Sequence, residues 1–430
     1  MARLKQNLLF VYIFNQSFHW FIIGLIFPVL ILYILDKGLS IFDAGIVMAA
    51  YSSAAILLEL PTGGLADGIG RKRVYLLSLG VMLAGAAVLF VADGFTSLLL
   101  GAMLLGAARA LSSGSIEAWF IDEFKLQNPS GNLQRAVAQA GFFITLGIAL
   151  GSLVGGLIPL AFSGIELGIP GWGRYSVNAM AYMIFIAVQI VLTLIMIQER
   201  TGVERKGVMA GFRATPQTIA TSVKFGIQNR ITFALVLATF AIGIAVGSVE
   251  LLWQPRVQEI LGPQEATWIL GVLAAGYFAS AAIGSLAGSP FCKAFKDDFA
   301  HALTAARIML ALCLFLLALQ SGMILFALLY FAFYLVMGIE ASPYSATYNE
   351  EVPSEVRSTM LSFQSLVAQL GGLIGTLLLG YVAQTTSIAQ SWLLAALVLM
   401  VSAVAYVSLG RLQRKKVLSS TMAPDAPEGG

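Results

Sequence analysis

Gly63-Gly64-Leu65-Ala66-Asp67-Gly68-Ile69-Gly70-Arg71-Lys72-Arg73 is a short, charged, glycine-rich stretch between two long apolar runs. It is too short to be a domain. It is also too charged to lie in lipid, where an ionised side chain is costly. The stretch reads as a tight loop on one membrane face, and the runs beside it read as membrane helices. The whole chain agrees. Of its 430 residues 58% are hydrophobic and 11% charged, with a mean hydropathy of +0.86. Soluble domains carry about 25% charged residues, so an ordinary soluble enzyme is excluded. Apolar runs of ~20 residues recur, the length of a membrane helix. The alternating segments of ~10 residues that mark a membrane barrel do not. The fold class is an all-α polytopic membrane protein.

Outward from that loop, helices are expected over 8–35 and 41–64 before it, and over 74–91, 97–120, 133–162 and 175–197 after it. Six more follow, over 231–253, 267–289, 301–319, 323–339, 358–383 and 391–409. The first run is too long for the apolar core of a signal peptide and reads as a retained helix. Residues 198–229 form the longest polar break and carry Arg200, Arg205, Lys206, Arg213 and Lys224. They read as a cytoplasmic linker between two six-helix bundles, 1–197 and 230–411. Residues 412–430 have no apolar period and read as a disordered tail. Lys and Arg counted over short loops set the orientation. With the N-terminus inside, only Lys37, Arg174 and Arg256 of 25 basic residues fall outside. Both termini are therefore expected in the cytoplasm, in a cell (inner or plasma) membrane. The fifth helix carries Gly147, Gly151, Gly155 and Gly156, and the eleventh carries Gly371, Gly372, Gly375 and Gly380. Small residues at this spacing let helix backbones approach closely, and their matching ordinal position suggests pseudo-symmetric halves.

Ionisable residues inside apolar spans are functional candidates because their desolvation needs a reason. His19 lies in the first helix beside Asn15, Gln16 and Trp20, Arg109 in the fourth, and Glu250 in the outer half of the seventh. Glu59, Glu117 and Glu340 lie near the cytoplasmic ends of the second, fourth and tenth helices, and Arg307 lies inside the ninth. On a continuous helix Arg109 and Glu117 share a face about 12 Å apart, two stations on one polar stripe. His19 titrates near neutral pH where accessible, and a buried carboxylate such as Glu250 is a possible proton acceptor. The alternatives stand beside these readings: a hydrogen-bonded structural His19, a Glu250 at the outer water interface, and structural ion pairs at Glu59 and Glu340. Tyr334 and Gln364, with Asn15, Gln16 and Trp20, are candidate substrate contacts. Cys292 and Cys313 have neither metal-site spacing nor disulfide numbers. No nucleotide-binding loop or cluster of metal ligands is present in the sequence. No cofactor, metal or nucleic acid is expected.

Gly64-Leu65-Ala66-Asp67-Gly68-Ile69-Gly70-Arg71-Lys72-Arg73 resembles the loop 2–3 signature of the major facilitator superfamily, with Gly68 where a basic residue is common. Gly147-x-x-x-Gly151-Ser152-x-x-Gly155-Gly156 resembles that superfamily's antiporter signature, with Ser152 in place of proline. The residues after Arg109 fit another drug-exporter signature only loosely. The resemblance implies twelve helices in two bundles around a central cavity, alternating access by rocking, and no covalent chemistry. It also implies a conformational latch of Gly64, Asp67, Gly70 and Arg71, whose acidic partner is Glu117 or Asp122. The expected function is export of amphiphilic small molecules by proton antiport, from a monomer in the lipid bilayer. His19, Arg109, Glu250, Glu59 and Glu340 are the candidates for proton coupling. The alternative is a proton symporter or uniporter importing a sugar, metabolite or siderophore, which favours polar cavity residues over aromatic ones.

Overall fold

The structure, a computed structural model of the chain, describes residues 7–165, 168, 171–199, 229–262, 267–352 and 357–422. Twelve described helices are long and apolar enough to cross a membrane. They are labelled α1 (Leu8–Asp36), α2 (Ile41–Ile69), α3 (Arg71–Phe90), α4 (Phe95–Gln127), α5 (Leu133–Ala161) and α6 (Ser176–Met196) in the first half. The second half comprises α7 (Arg230–Leu261), α8 (Thr267–Ala294), α9 (Phe299–Ala318), α10 (Met323–Glu351), α11 (Arg357–Thr385) and α12 (Ile388–Met422). Most of the linker expected over 198–229 lies outside the described residues.

Local features depart from the sequence reading, three of them at charged or polar segments. The charged stretch is not a loop along its length: α2 runs through Ile69, and α3 begins at Arg71. Only Gly70 interrupts the helices, at φ 105°, a backbone region where a side chain is strained. The side chains over 60–64 and 66–68 lie outside the described residues, and with them the expected contacts of Asp67 and the surroundings of Gly64. The fourth span is broken at Ser113-Gly114, with Gly114 at φ 71°, separating Phe95–Ser112 from Ser115–Gln127. Arg109 and Glu117 therefore sit on different segments, and the single polar stripe assumed for them does not exist. Helix α12 continues to Met422 rather than ending near 411. Residues 411–418 are mostly good helix formers, and Pro424 is the first strong breaker.

The halves repeat one packing device. Along α5, a methyl group at Gly147, Gly151 or Gly155 would collide with the α1 carbonyls of Ser17, Phe21 and Leu25 respectively. Three glycines four residues apart thus seat three carbonyls four residues apart, bringing the backbones into direct contact. In the second half Gly371 and Gly375 of α11 meet the α7 carbonyls of Phe240 and Ile244. Helix α7 answers with Gly243 and Gly247 against Ala368 and Gly372. The remaining Gly156 of α5 points the other way, across to the second half, where its Cβ would lie 2.7 Å from Gly271 Cα.

Between halves, α2 packs on α11 and α5 on α8. Their contacts gather at the membrane end that carries the α1–α2 turn. There Ile41 N donates to Gln384 Oε1 at 3.0 Å, Gln258 Nε2 donates to Tyr175 OH at 3.2 Å, and Phe42 meets Tyr381 edge-on. Toward the other end, which carries the α2–α3 junction, the buried stripe of α5 narrows. Gly147, Ile148, Gly151, Ser152, Gly155 and Gly156 are buried, whereas in the preceding turns only Ala136 and Ala140 are, and Ala138, Gln139, Gly141, Phe142 and Phe143 are exposed. Along α5 the halves are closed toward the α1–α2 end and part toward the α2–α3 end, while on the other side Glu59 of α2 still reaches Gln369 of α11.

Candidate functional site

The splay leaves charged side chains accessible inside the span. Arg109 on α4 and Glu250 on α7 are both solvent-accessible, although each sits within a membrane helix. They come from opposite halves. Tyr51 of α2 lies within electrostatic range of both, and Glu250 itself lies within range of the Arg109 charge. His19 of α1 also lies within reach of the Arg109 charge. Its side chain is buried, and its Nδ1 has no hydrogen-bond partner among the described residues.

Aromatic groups form the wall beside Glu250. Tyr277, Tyr330 and Tyr334 all feel the Glu250 charge. Tyr277 and Tyr334 have ring centroids 3.9 Å apart, and Tyr330 and Tyr334 5.0 Å apart. Trp253 joins Tyr330 at 5.7 Å. Tyr334 and Tyr330 are fully buried and Tyr277 half-buried, so Tyr277 carries the exposed edge of this cluster. Such a wall offers polarisable surface and hydroxyl groups next to an accessible carboxylate. Trp20 is half-buried next to His19, and Gln364 is half-buried on α11.

The other sequence candidates sit elsewhere. Asn15 Nδ2 donates to Thr193 Oγ1 at 3.0 Å, while Gln16 Nε2 donates to Tyr75 OH at 3.3 Å. Gln189 Nε2 donates to both the Asn15 carbonyl and Tyr75 OH. Asn15, Gln16 and Gln189 are buried, so they form a network joining α1, α3 and α6 rather than an open lining. Glu340 is buried against Arg307: Arg307 Nε donates to Glu340 Oε2 at 3.1 Å, and Tyr406 OH donates to Glu340 Oε1 at 2.7 Å. Arg307 Nη1 also donates to Ser402 Oγ at 2.7 Å and to the Ala238 carbonyl at 3.0 Å. This cluster ties α7, α9, α10 and α12 together within the second half. Glu59 is exposed on α2 and accepts from Gln369 Nε2 of α11 at 3.3 Å.

At the α2–α3 junction Arg71 meets Asp122, with Nη1 2.6 Å from Oδ2. Of the two acids considered from sequence, Asp122 is the one in contact, and Glu117 is exposed on the same short segment of α4. Three further contacts fix this corner. Glu199 Oε1 accepts from Arg71 N at 2.7 Å, capping the start of α3 with a carboxylate where the helix dipole favours one. Trp119 Nε1 donates to the Gln198 carbonyl, and Lys72 Nζ to the Leu194 carbonyl. Glu199 escaped the sequence reading because its partner lies 128 residues earlier in the chain.

No cluster of His, Cys, Asp or Glu able to hold a metal ion exists among the described residues. Twelve membrane-length helices in two halves, with accessible charged residues of both halves inside the span, have the architecture of a membrane transport protein. The chain belongs to the Major Facilitator Superfamily, whose family model matches residues 9–376. It is 20% identical over 375 residues to the quinolone resistance protein NorA of Staphylococcus aureus (strain MSSA476), covering 86% of this chain and 89% of that one. It is 21% identical over 398 residues to the MFS-type transporter YxaM of Bacillus subtilis (strain 168), covering 91% and 93%. In fold it is similar to the nucleoside transporter NupG, with TM-score 0.74, 13% identity and coverage of 94% of this chain and 99% of that one. It is similar also to a bacterial homolog of the human lysosomal transporter Spinster, in an inward-facing and unoccupied conformation. That comparison gives TM-score 0.70, 14% identity and coverage of 94% and 96%.

Proposed function

We propose that this transporter exports amphiphilic small molecules from the cell by proton antiport with alternating access. In this reading both termini and the α2–α3 junction face the cytoplasm, and the conformation described above is inward-open. The observation that carries it is that Arg109 and Glu250, accessible charges from the two halves, lie within electrostatic range of one another, with the tyrosines of α8 and α10 beside Glu250. Glu250 is the proton-carrying carboxylate. Protonated from the outside, it loses its attraction for Arg109 and for a cationic substrate group, which releases substrate. Deprotonated toward the cytoplasm, it regains both. Arg109 remains charged throughout and makes the two protonation states of Glu250 electrostatically different. His19 is a second group within the same field. Glu340 is given a packing role instead, because Arg307 and Tyr406 already satisfy it.

The similarity to a quinolone resistance protein over most of the chain supports export. Polar importers need open hydrogen-bonding side chains, and here Asn15, Gln16 and Gln189 are consumed by the α1–α3–α6 network. In everted membrane vesicles, accumulation of a fluorescent lipophilic amine should collapse when ΔpH and the membrane potential are dissipated. Accumulation that survives both treatments would sink proton coupling.

A further inference from the structure

Helix α1 is broken inside the membrane. Phe27–Val29 form a 3₁₀ turn around Pro28, between the α-helical segments Leu8–Ile26 and Leu30–Asp36. In an unbroken α-helix the Ile31 N–H would donate to the Phe27 carbonyl, four residues earlier. Here the carboxamide of Gln254, on α7 of the other half, stands between those two groups. Ile31 N donates to Gln254 Oε1 at 2.9 Å, and Gln254 Nε2 donates to the Phe27 carbonyl at 3.0 Å. Leu32 N makes a longer contact to the same oxygen, at 3.4 Å. The two ends of the carboxamide are assigned by these partners, since a carboxamide accepts only at its oxygen and donates only from its nitrogen.

The rest of the seat matches. Gln254 is buried, as are Val29, Ile31 and Leu32. The Phe27 ring rests on Phe278 at 5.5 Å, Tyr277 at 6.1 Å and Trp253 at 6.4 Å, all from the second half. Backbone groups freed inside a membrane must find partners in protein or water. The break in α1 is therefore satisfied by protein only while the halves are closed at this end. When they part, water must replace Gln254.

We infer that Gln254 is a positioning residue for transport: by completing the broken Phe27–Ile31 rung of α1 from α7, it sets the balance between the two open states. Its contacts exist in one state and not the other, which is the condition for shifting an equilibrium. Loss of two buried hydrogen bonds of ordinary strength corresponds to about a tenfold change in the population ratio.

The test uses double electron–electron resonance on the full-length protein, with Cys292 and Cys313 replaced by Ser. One nitroxide pair, Asp93→Cys with Ser321→Cys, spans the halves at the α1–α2 end. A second, Asn128→Cys with Lys293→Cys, spans them at the α2–α3 end. Gln254→Met keeps the side-chain volume and removes the hydrogen bonds. It should raise the open population at the first pair about tenfold and lower it at the second. Gln254→Asn, which is too short to bridge both groups, should shift both pairs in the same directions and is read if the Met variant does not fold. Unchanged distance distributions, with or without a lower thermal midpoint, would reduce Gln254 to a packing residue. The inference rests on alternating access: a parent protein with a single population at both pairs across pH and substrate conditions overturns that reading, whereas two populations indifferent to Gln254 overturn only the inference.

Discussion

Arg71 Nη1 lies 2.6 Å from Asp122 Oδ2, joining the first residue of α3 to the last segment of α4. The aspartate is well exposed, so the pair contributes at most about 1 kcal/mol to folding. Its proposed role is in switching, where the same free energy enters a rate exponentially. Asp122→Ala should leave the thermal midpoint nearly unchanged. It should lower the transport rate at saturating substrate by up to about fivefold, the factor that about 1 kcal/mol allows, while substrate affinity stays within about twofold. Binding and transport measured on the same reconstituted preparation separate the two. A collapse of affinity at an unchanged rate would contradict the latch.

Arg307 and Glu340 behave as a unit, and stability is where they should be felt. Removing one partner strands a buried charge, so Arg307→Met or Glu340→Gln should each cost about 3–5 kcal/mol, whereas replacing both with apolar residues should cost far less. Thermal unfolding in detergent, with fluorescence readout, gives the order. If Glu340→Gln were stable but uncoupled from the proton gradient, the packing role assigned to Glu340 would be wrong.

Gly151 and Gly156 lie close together on α5 but face different halves. A methyl at Gly151 meets the Phe21 carbonyl within its own bundle, and one at Gly156 meets Gly271 across the interface. Gly151→Ala should therefore reduce the yield of folded protein. Gly156→Ala should preserve folding and disfavour closure at the α1–α2 end, seen as faster thiol labelling of a cysteine placed at Gly45. Equal effects of the two substitutions on labelling would contradict this division.

Asp298 caps α9 between the membrane spans, accepting from His301 N at 3.1 Å with His301 Nδ1 2.7 Å away. Partial burial acts to raise its pKa, but the His301 amide, the His301 ring and Arg414 together hold it below the ordinary carboxylate value. A lowered native pKa means stability present above the unfolded value of about 3.9 and lost as pH falls through the native one. Asp298→Ala should cost about 1 kcal/mol at neutral pH through the lost cap and flatten the acid limb of the stability profile. Unfolding midpoints from pH 3 to 7 test it; an unchanged acid limb would show that Asp298 does not contribute there.

The helices were legible because apolar runs of membrane length have few alternatives, and the α2–α3 motif was legible because charge and glycine stand out in an apolar chain. Arg109 and Glu250 were found for the same reason, as ionisable groups within spans. Helix breaks were harder to see. Gly114 sits in Ser112-Ser113-Gly114-Ser115, a turn signal by composition, but apolar residues resume at Ile116 and the span reads as continuous. Gly70 shows the reverse error, since a run of glycines that looks like a loop is helical up to its last member. Asn15 and Gln16 looked like cavity residues because polarity marks them but periodicity does not reveal their partners. Gln254 and Glu199 were missed because each acts on backbone groups far away in sequence, and a backbone carries no residue-specific signal.

Proton coupling through Glu250 is tested most directly in proteoliposomes holding purified Glu250→Gln protein. Substrate counterflow, which needs binding and alternating access but no gradient, should persist at a rate comparable to the parent. Transport driven by an imposed pH gradient should fall to the level of empty liposomes. Gradient-driven accumulation retained by Glu250→Gln, at normal counterflow, would contradict the central claim and move the proton to another group.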